Sequence, residues 1–101
     1  MPFLQALQPN QYVPDSKPFT DEEREQALGR DHTYGRSVPT GYIHLRHAGA
    51  ELAAEGIAFL GLSRVYADVA ETIYVDNCCH VNELGNRLMA APLAEALRAL
   101  R

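Results

Sequence analysis

The chain alternates short apolar runs with polar, proline-bearing connections and longer stretches of helical spacing. Phe3 to Leu7 is apolar and short enough for a buried strand, and Gln8-Pro9-Asn10 ends it because proline has no backbone donor. Residues 8 to 19 hold three prolines and read as loop. Thr20-Asp21-Glu22-Glu23 then has the form of a capping box, in which the threonine hydroxyl faces the Glu23 amide and the Glu23 carboxylate reaches back. A short helix is predicted from Asp21 to about Leu28, with Gly29 closing it in the left-handed conformation that glycine adopts at little cost.

Arg30 to Ser37 is polar, carries Gly35, and reads as a connection or a loosely continued helix. Pro39 suits a first helical turn, after which Tyr42, Leu45, Gly49 and Leu52 fall on one face as far as a stop at Gly56. Ile57-Ala58-Phe59-Leu60 is a second short strand, Ser63 to Tyr66 a turn of helix, and Thr72 to Val75 an extended segment leading into a polar loop. The last helix is predicted to begin near Asn82, a good cap residue, and to carry Leu84, Leu88, Leu93, Leu97 and Leu100 towards a core. Pro92 is expected to kink or restart it near Ala91. Strand, helix, helix, strand, loop and helix in that order predict an α/β fold, with the two main strands parallel because a helical crossover joins them.

Composition narrows this picture. At 101 residues there is one domain at most, and a chain of this size buries roughly 60 to 70% of its unfolded surface. A hydrophobic content of 47% with 22% charged residues fits a soluble globular protein rather than a disordered or membrane one. The net charge of -4, without a basic run or stripe, argues against nucleic acid as a partner. Met1 to Leu7 lacks the basic and apolar regions of a signal peptide, and the weakly polar stretch from Gly56 to Leu62 is far shorter than the roughly 20 residues needed to span a bilayer. The cytoplasm is the expected compartment, although an N-terminal secretion signal would be lost with a missing N-terminal half. Cys78 and Cys79 are adjacent, so they form no spaced disulfide framework; they are read as free thiols filling space under the loop.

The chemistry concentrates in Tyr74-Val75-Asp76-Asn77-Cys78-Cys79-His80-Val81-Asn82-Glu83-Leu84-Gly85-Asn86, which sets a carboxylate ahead of a histidine and a helix start. An imidazole moves protons near neutral pH, and a neighbouring acid fixes its tautomer and stabilises the imidazolium. The stretch resembles the last block of the SGNH/GDSL family of esterases and lipases, in which an Asp and a His precede an apolar helix with Gly-Asn near its start. Leu4 to Val13, Ser16-Lys17-Pro18-Phe19-Thr20 and Glu22-Glu23 resemble the strand exit and loop-helix in the second half of such a domain, so the resemblance runs from about Phe3 to Leu100.

That resemblance implies the C-terminal part of a doubly wound, flavodoxin-like three-layer sheet, with two or three short strands and flanking helices forming one partial domain over residues 1–101. It implies a serine ester hydrolase relay in which His80 is the general base and Asp76 its orienting acid. The family acid commonly lies three residues before the histidine, where this chain has Asn77; either Asp76 reaches across an extra loop residue or Asn77 orients the ring without a charge. The Gly-Asp-Ser nucleophile block and the Gly-x-Asn-Asp segment are absent, and Ser16, Ser37 and Ser63 lack the context of a nucleophile. The expectation is a fragment inactive alone, acting on a small ester only when an N-terminal segment completes it. A non-catalytic module, self-associating or partner-binding through the apolar edge left beside the first strand, is the alternative.

Other constellations are weaker. Asn10, Gln11 and Tyr12 sit beyond a strand's carboxyl end, where open α/β sheets place ligands, and either line a cleft or simply turn and pack. Asp76, Cys78, Cys79 and His80 are possible zinc ligands, but adjacent cysteines rarely direct both sulfurs to one ion, and no second pair exists. His44 and His47 share a predicted helix face, as exposed polarity also explains. No cofactor is expected.

Overall fold

The computed structural model describes residues 3–29 and 33–100; the first three residues of the expected Arg30–Ser37 connection lie outside them. The fold is mixed α/β. Strand β1 (Leu4–Leu7) is followed by helices α1 (Asp21–Gln26) and α2 (Thr33–Ala54), strand β2 (Ala58–Gly61) and helix α3 (Glu83–Arg98). The two strands pair in parallel with Leu4 opposite Ala58 and Leu7 opposite Gly61, as a helical crossover requires.

Helix α2 packs on the sheet through Gly49, whose hydrogen faces Phe59; a Cβ there would stand 2.2 Å from the end of that ring. The helix ends in a Schellman turn. Gly56, at φ 87°, donates to Ala53 at 3.0 Å while Ile57 donates to Leu52 at 3.0 Å, closing two carbonyls that would otherwise be left open. The Tyr42 hydroxyl donates 2.7 Å to the Gln8 carbonyl and ties α2 to the loop leaving β1.

Several sequence expectations are corrected. α1 stops at Gln26, with Ala27 as its cap, so Gly29 does not close it. The Ala27 carbonyl accepts from the Gln11 side chain at 3.0 Å instead of continuing the helix. Pro39 lies inside α2, not in its first turn. Gly35, four residues earlier, loses the amide partner that proline lacks, but this part of the helix is largely exposed, where solvent can meet the carbonyl. α3 continues through Pro92 without a restart, and Leu97 is exposed on it. The second strand starts at Ala58, and Ser63 to Tyr66 forms successive turns, Val65 to Leu62 and Ala67 to Arg64, without becoming a helix.

The main buried cluster is Ala27, Tyr66, Ile73 and Tyr74, with Phe19, Val69, Val81, Leu84 and Leu88 among the side chains packed round it. It joins α1, the turns after β2 and the start of α3. Tyr66 meets Tyr74 edge-on with ring centroids 5.8 Å apart, a geometry that the ring quadrupoles favour.

A buried ion pair crosses this core. Thr20 caps α1 with both halves of the box formed. Glu23 Oε1 accepts from the Thr20 amide at 2.9 Å and from Lys17 at 2.9 Å, while Oε2 accepts from the Ile73 and Tyr74 amides, each at 3.0 Å. Lys17 spends its other donors on the carbonyls of Pro18 at 3.0 Å and Val69 at 2.9 Å. Both side chains are wholly buried. Burial pushes the Glu23 carboxyl upward, but the Thr20 amide, the Lys17 ammonium and the Tyr74 and Ile73 amides outweigh it, so its pKa lies below the ordinary 4.5.

A depressed carboxyl pKa adds stability that is present above the unfolded value and is lost as pH falls through the folded one. Urea titrations of the wild-type chain should therefore show stability falling below about pH 4.5, more steeply than in Glu23→Gln. At neutral pH, Glu23→Gln should cost about 3–5 kcal/mol, because it strands the Lys17 charge.

Candidate functional site

The strongest chemical arrangement lies in the loop from Asp76 to His80. Tyr74 and Val81 form an antiparallel bridge across its base, and the Val75 amide donates to the His80 carbonyl at 3.1 Å. One step further out, the Asn82 amide donates to the Ile73 carbonyl at 2.9 Å. The segment is thus a short hairpin whose second leg enters α3.

Asn82 caps that helix, its side-chain oxygen accepting from the Gly85 amide at 3.0 Å while its Nδ2 donates to the Thr72 carbonyl at 2.7 Å. Gly85 is required by packing: a Cβ there would stand 2.7 Å from Val81 Cβ and 2.8 Å from Ile73 Cγ2. Its carbonyl accepts from the buried Tyr66 hydroxyl at 2.8 Å. Helix α3 therefore starts directly against both legs of the hairpin.

Inside the loop, Asp76 Oδ1 accepts from the Cys78 amide at 3.0 Å. Asp76 Oδ2 is hydrogen-bonded to His80 Nδ1. The pair sits at the surface, with the His80 side chain 77% and the Asp76 side chain 44% exposed. What burial Asp76 has pushes its carboxyl up, but the bond to His80, the Cys78 amide and the imidazole's charge outweigh that and hold it below the ordinary 3.8. It is a carboxylate at neutral pH. With Nδ1 engaged, Nε2 is the ring nitrogen left for proton transfer.

Asn77 is not the residue bonded to the ring. Its backbone carbonyl accepts from the Tyr12 hydroxyl at 2.5 Å. The cysteines also differ from expectation. Cys79 is exposed rather than packed beneath the loop, and it is joined to Cys78 by a disulfide. Cys79 has φ 80°, a left-handed conformation that reverses the chain between the carboxylate and the imidazole.

The segment leaving β1 holds this loop from below. Gln11 is 2% exposed and uses its whole carboxamide: Nε2 donates to the carbonyls of Asp76 at 2.8 Å and Ala27 at 3.0 Å, and Oε1 accepts from the Cys79 amide at 2.8 Å. Asn10 is also buried, and its Nδ2 lies 3.4 Å from the Cys79 sulfur. Asn10, Gln11 and Tyr12 therefore brace the loop. None of the three lines the cavity beside His80.

A cavity of about 280 Å³ adjoins the pair, lined by Gln8, Pro9, Cys79, His80, Val81, Asn86 and Met89. No serine is among them. Ser16 is 2% exposed with its hydroxyl 3.5 Å from the Asn10 carbonyl, Ser37 donates to Thr33 within α2 at 3.2 Å, and Ser63 is buried after β2. His47 pairs with Glu51 on the exposed face of α2 at 2.9 Å. Among the described residues no three His, Cys, Asp or Glu side chains gather to hold a metal, and no helix is long and apolar enough to cross a membrane.

Compared with protein-family models, with curated proteins and with solved structures, the chain shows no match.

Two substitutions probe the framework. Gln11→Leu should destabilise the fold by about 1–3 kcal/mol and speed hydrogen exchange at the Cys79 amide, because it leaves buried groups unpaired. Gly85→Ala should cost about 1–3 kcal/mol in chemical denaturation by forcing α3 away from Ile73 and Val81.

Proposed function

We propose that this chain supplies the acid–base half of an SGNH/GDSL-type serine ester hydrolase. The observation that carries the reading is the Asp76–His80 hydrogen bond at the mouth of a cavity, in a loop leading into a capped helix. His80 takes the proton of a serine hydroxyl as it attacks the ester carbonyl and returns it to the leaving alcohol. Asp76 fixes the Nδ1–H tautomer and stabilises the imidazolium. The serine, and the backbone amides that complete the oxyanion site, come from a segment other than those that line this cavity. The chain alone is then inactive, since stabilisation of the oxyanion usually dominates acyl-transfer catalysis. The parallel β1–β2 pair and its helical crossover support membership in a doubly wound, flavodoxin-like sheet, with further strands beside β1.

The test pairs this chain with an N-terminal half bearing a Gly-Asp-Ser block and follows hydrolysis of p-nitrophenyl acetate. The pair should turn over ester while this chain alone does not. His80→Ala should remove about 10²–10⁴ of the rate. Asp76→Asn should lower it by up to about 10⁴ with binding largely kept. An assembled pair without His80-dependent hydrolysis would sink the proposal.

A second reading is a non-catalytic module that self-associates. It is favoured by Phe3, 60% exposed beside β1, and by Leu45, 48% exposed on α2. Light scattering that shows a monomer at high concentration would remove it.

A further inference from the structure

The cavity beside His80 has a chemistry of its own. At about 280 Å³ it is near the lower end of small-molecule sites and suits a small ligand. One part of its wall is apolar, made by Pro9, Val81 and Met89. The polar residues that line it are Gln8, Asn86 and His80. No lysine, arginine, aspartate or glutamate lines it. The Asp76 carboxylate, bonded to His80, disfavours an anion close to the ring.

Asn86 is placed to act on a ligand. It lies in the first turn of α3, one residue after Gly85, and its backbone amide is already spent on the Asn82 carbonyl at 3.0 Å. Its side chain is exposed at the cavity, where a carboxamide offers two donors and an acceptor without a charge. The close packing of Gly85 on Ile73 and Val81 sets where this turn sits, so the Asn86 backbone is held in place relative to His80.

We infer that Asn86, with Gln8, is the ligand-anchoring element of this cavity, selecting small uncharged molecules that pair a short apolar end with a carbonyl or hydroxyl group. The apolar end rests on Met89 and Val81, and the carbonyl or hydroxyl bonds to the carboxamides. This deepens the ester-hydrolase reading by naming its substrate class, short-chain neutral esters, but its test does not need turnover.

The experiment is a two-dimensional NMR titration of the full chain with three probes of equal chain length: N-methylbutyramide, which is uncharged and is not an ester, butyrate, and n-butylammonium. The uncharged probe should give saturable shifts at the side-chain amides of Asn86 and Gln8 and at the Met89 methyl, with binding at least several-fold tighter than either ion. Asn86→Leu should weaken it roughly three- to tenfold, the worth of one hydrogen bond. Asn86→Asp, which keeps the size, should weaken it as well and keeps the test valid if the leucine variant does not fold. Equal binding of butyrate, no effect of either variant, or shifts confined to the separate apolar cavity between Leu45, Leu52 and Phe59 would overturn the assignment. Because binding is read without catalysis, a chain that binds but never hydrolyses refutes only the hydrolase proposal. A chain that hydrolyses without this selectivity refutes only the role of Asn86.

Discussion

The segment that leads into the candidate site is tied to α1 by the buried Glu23 carboxylate. A carboxylate taken out of water is tolerable only when its oxygens are filled, and here each oxygen accepts two donors. Those donors come from three places in the chain: the cap of α1, the loop before it, and the extended segment entering the hairpin. The Lys17 ammonium is equally occupied, between Glu23, Pro18 and Val69. The result is a clamp that fixes residues 69 to 74 against α1, and residue 74 is the base of the Asp76–His80 loop. Apolar replacement of the ion pair would not do the same work, because it would leave the Thr20, Ile73 and Tyr74 amides without acceptors.

A second clamp acts on the loop itself. Gln11 reaches Ala27, Asp76 and Cys79 from one buried side chain, so the strand exit, the end of α1 and the loop share a single carboxamide. The two clamps are linked at α1: Glu23 lies inside it, and the Ala27 carbonyl just beyond it accepts from Gln11. The sheet contributes by delivering the 8–13 segment to the right place. It does not hold the main core, which lies among α1, the turns after β2 and the start of α3. This division explains why a sheet of only two strands can accompany a well-fixed surface loop.

What was legible in the sequence was local. The Thr20–Glu23 box, the Gly56 stop and the Asn82 cap each depend on residues within one or two turns, and each was readable from spacing alone. The misplaced end of α1 is settled by a distant partner, since α1 stops where Gln11 takes the Ala27 carbonyl, and neither proline marks a boundary, since both lie inside their helices. The role of Lys17 also lay out of reach, since its partners Glu23 and Val69 meet only in the folded chain. One sign was present: it is the chain's only lysine, set between Ser16 and Pro18, where a flexible surface charge has no evident use. The Asp76–His80 pair was visible as a motif, yet the choice between Asp76 and Asn77 was not, because it turns on backbone direction.

That direction follows from the hairpin. With Tyr74 bridged to Val81 and Val75 bonded to His80, the loop must return on itself within the residues from Asp76 to Cys79. Asp76 is the first residue past the Val75 amide and His80 supplies the carbonyl that closes it, so the two side chains stand at the mouth on opposite legs. Asn77 is already on the outward arc, where its carbonyl is taken by Tyr12. Cys79 adopts the left-handed conformation within this return, and its amide is held by Gln11. The Asp76–His80 contact is thus framed by the Tyr74–Val81 bridge at the base of the hairpin.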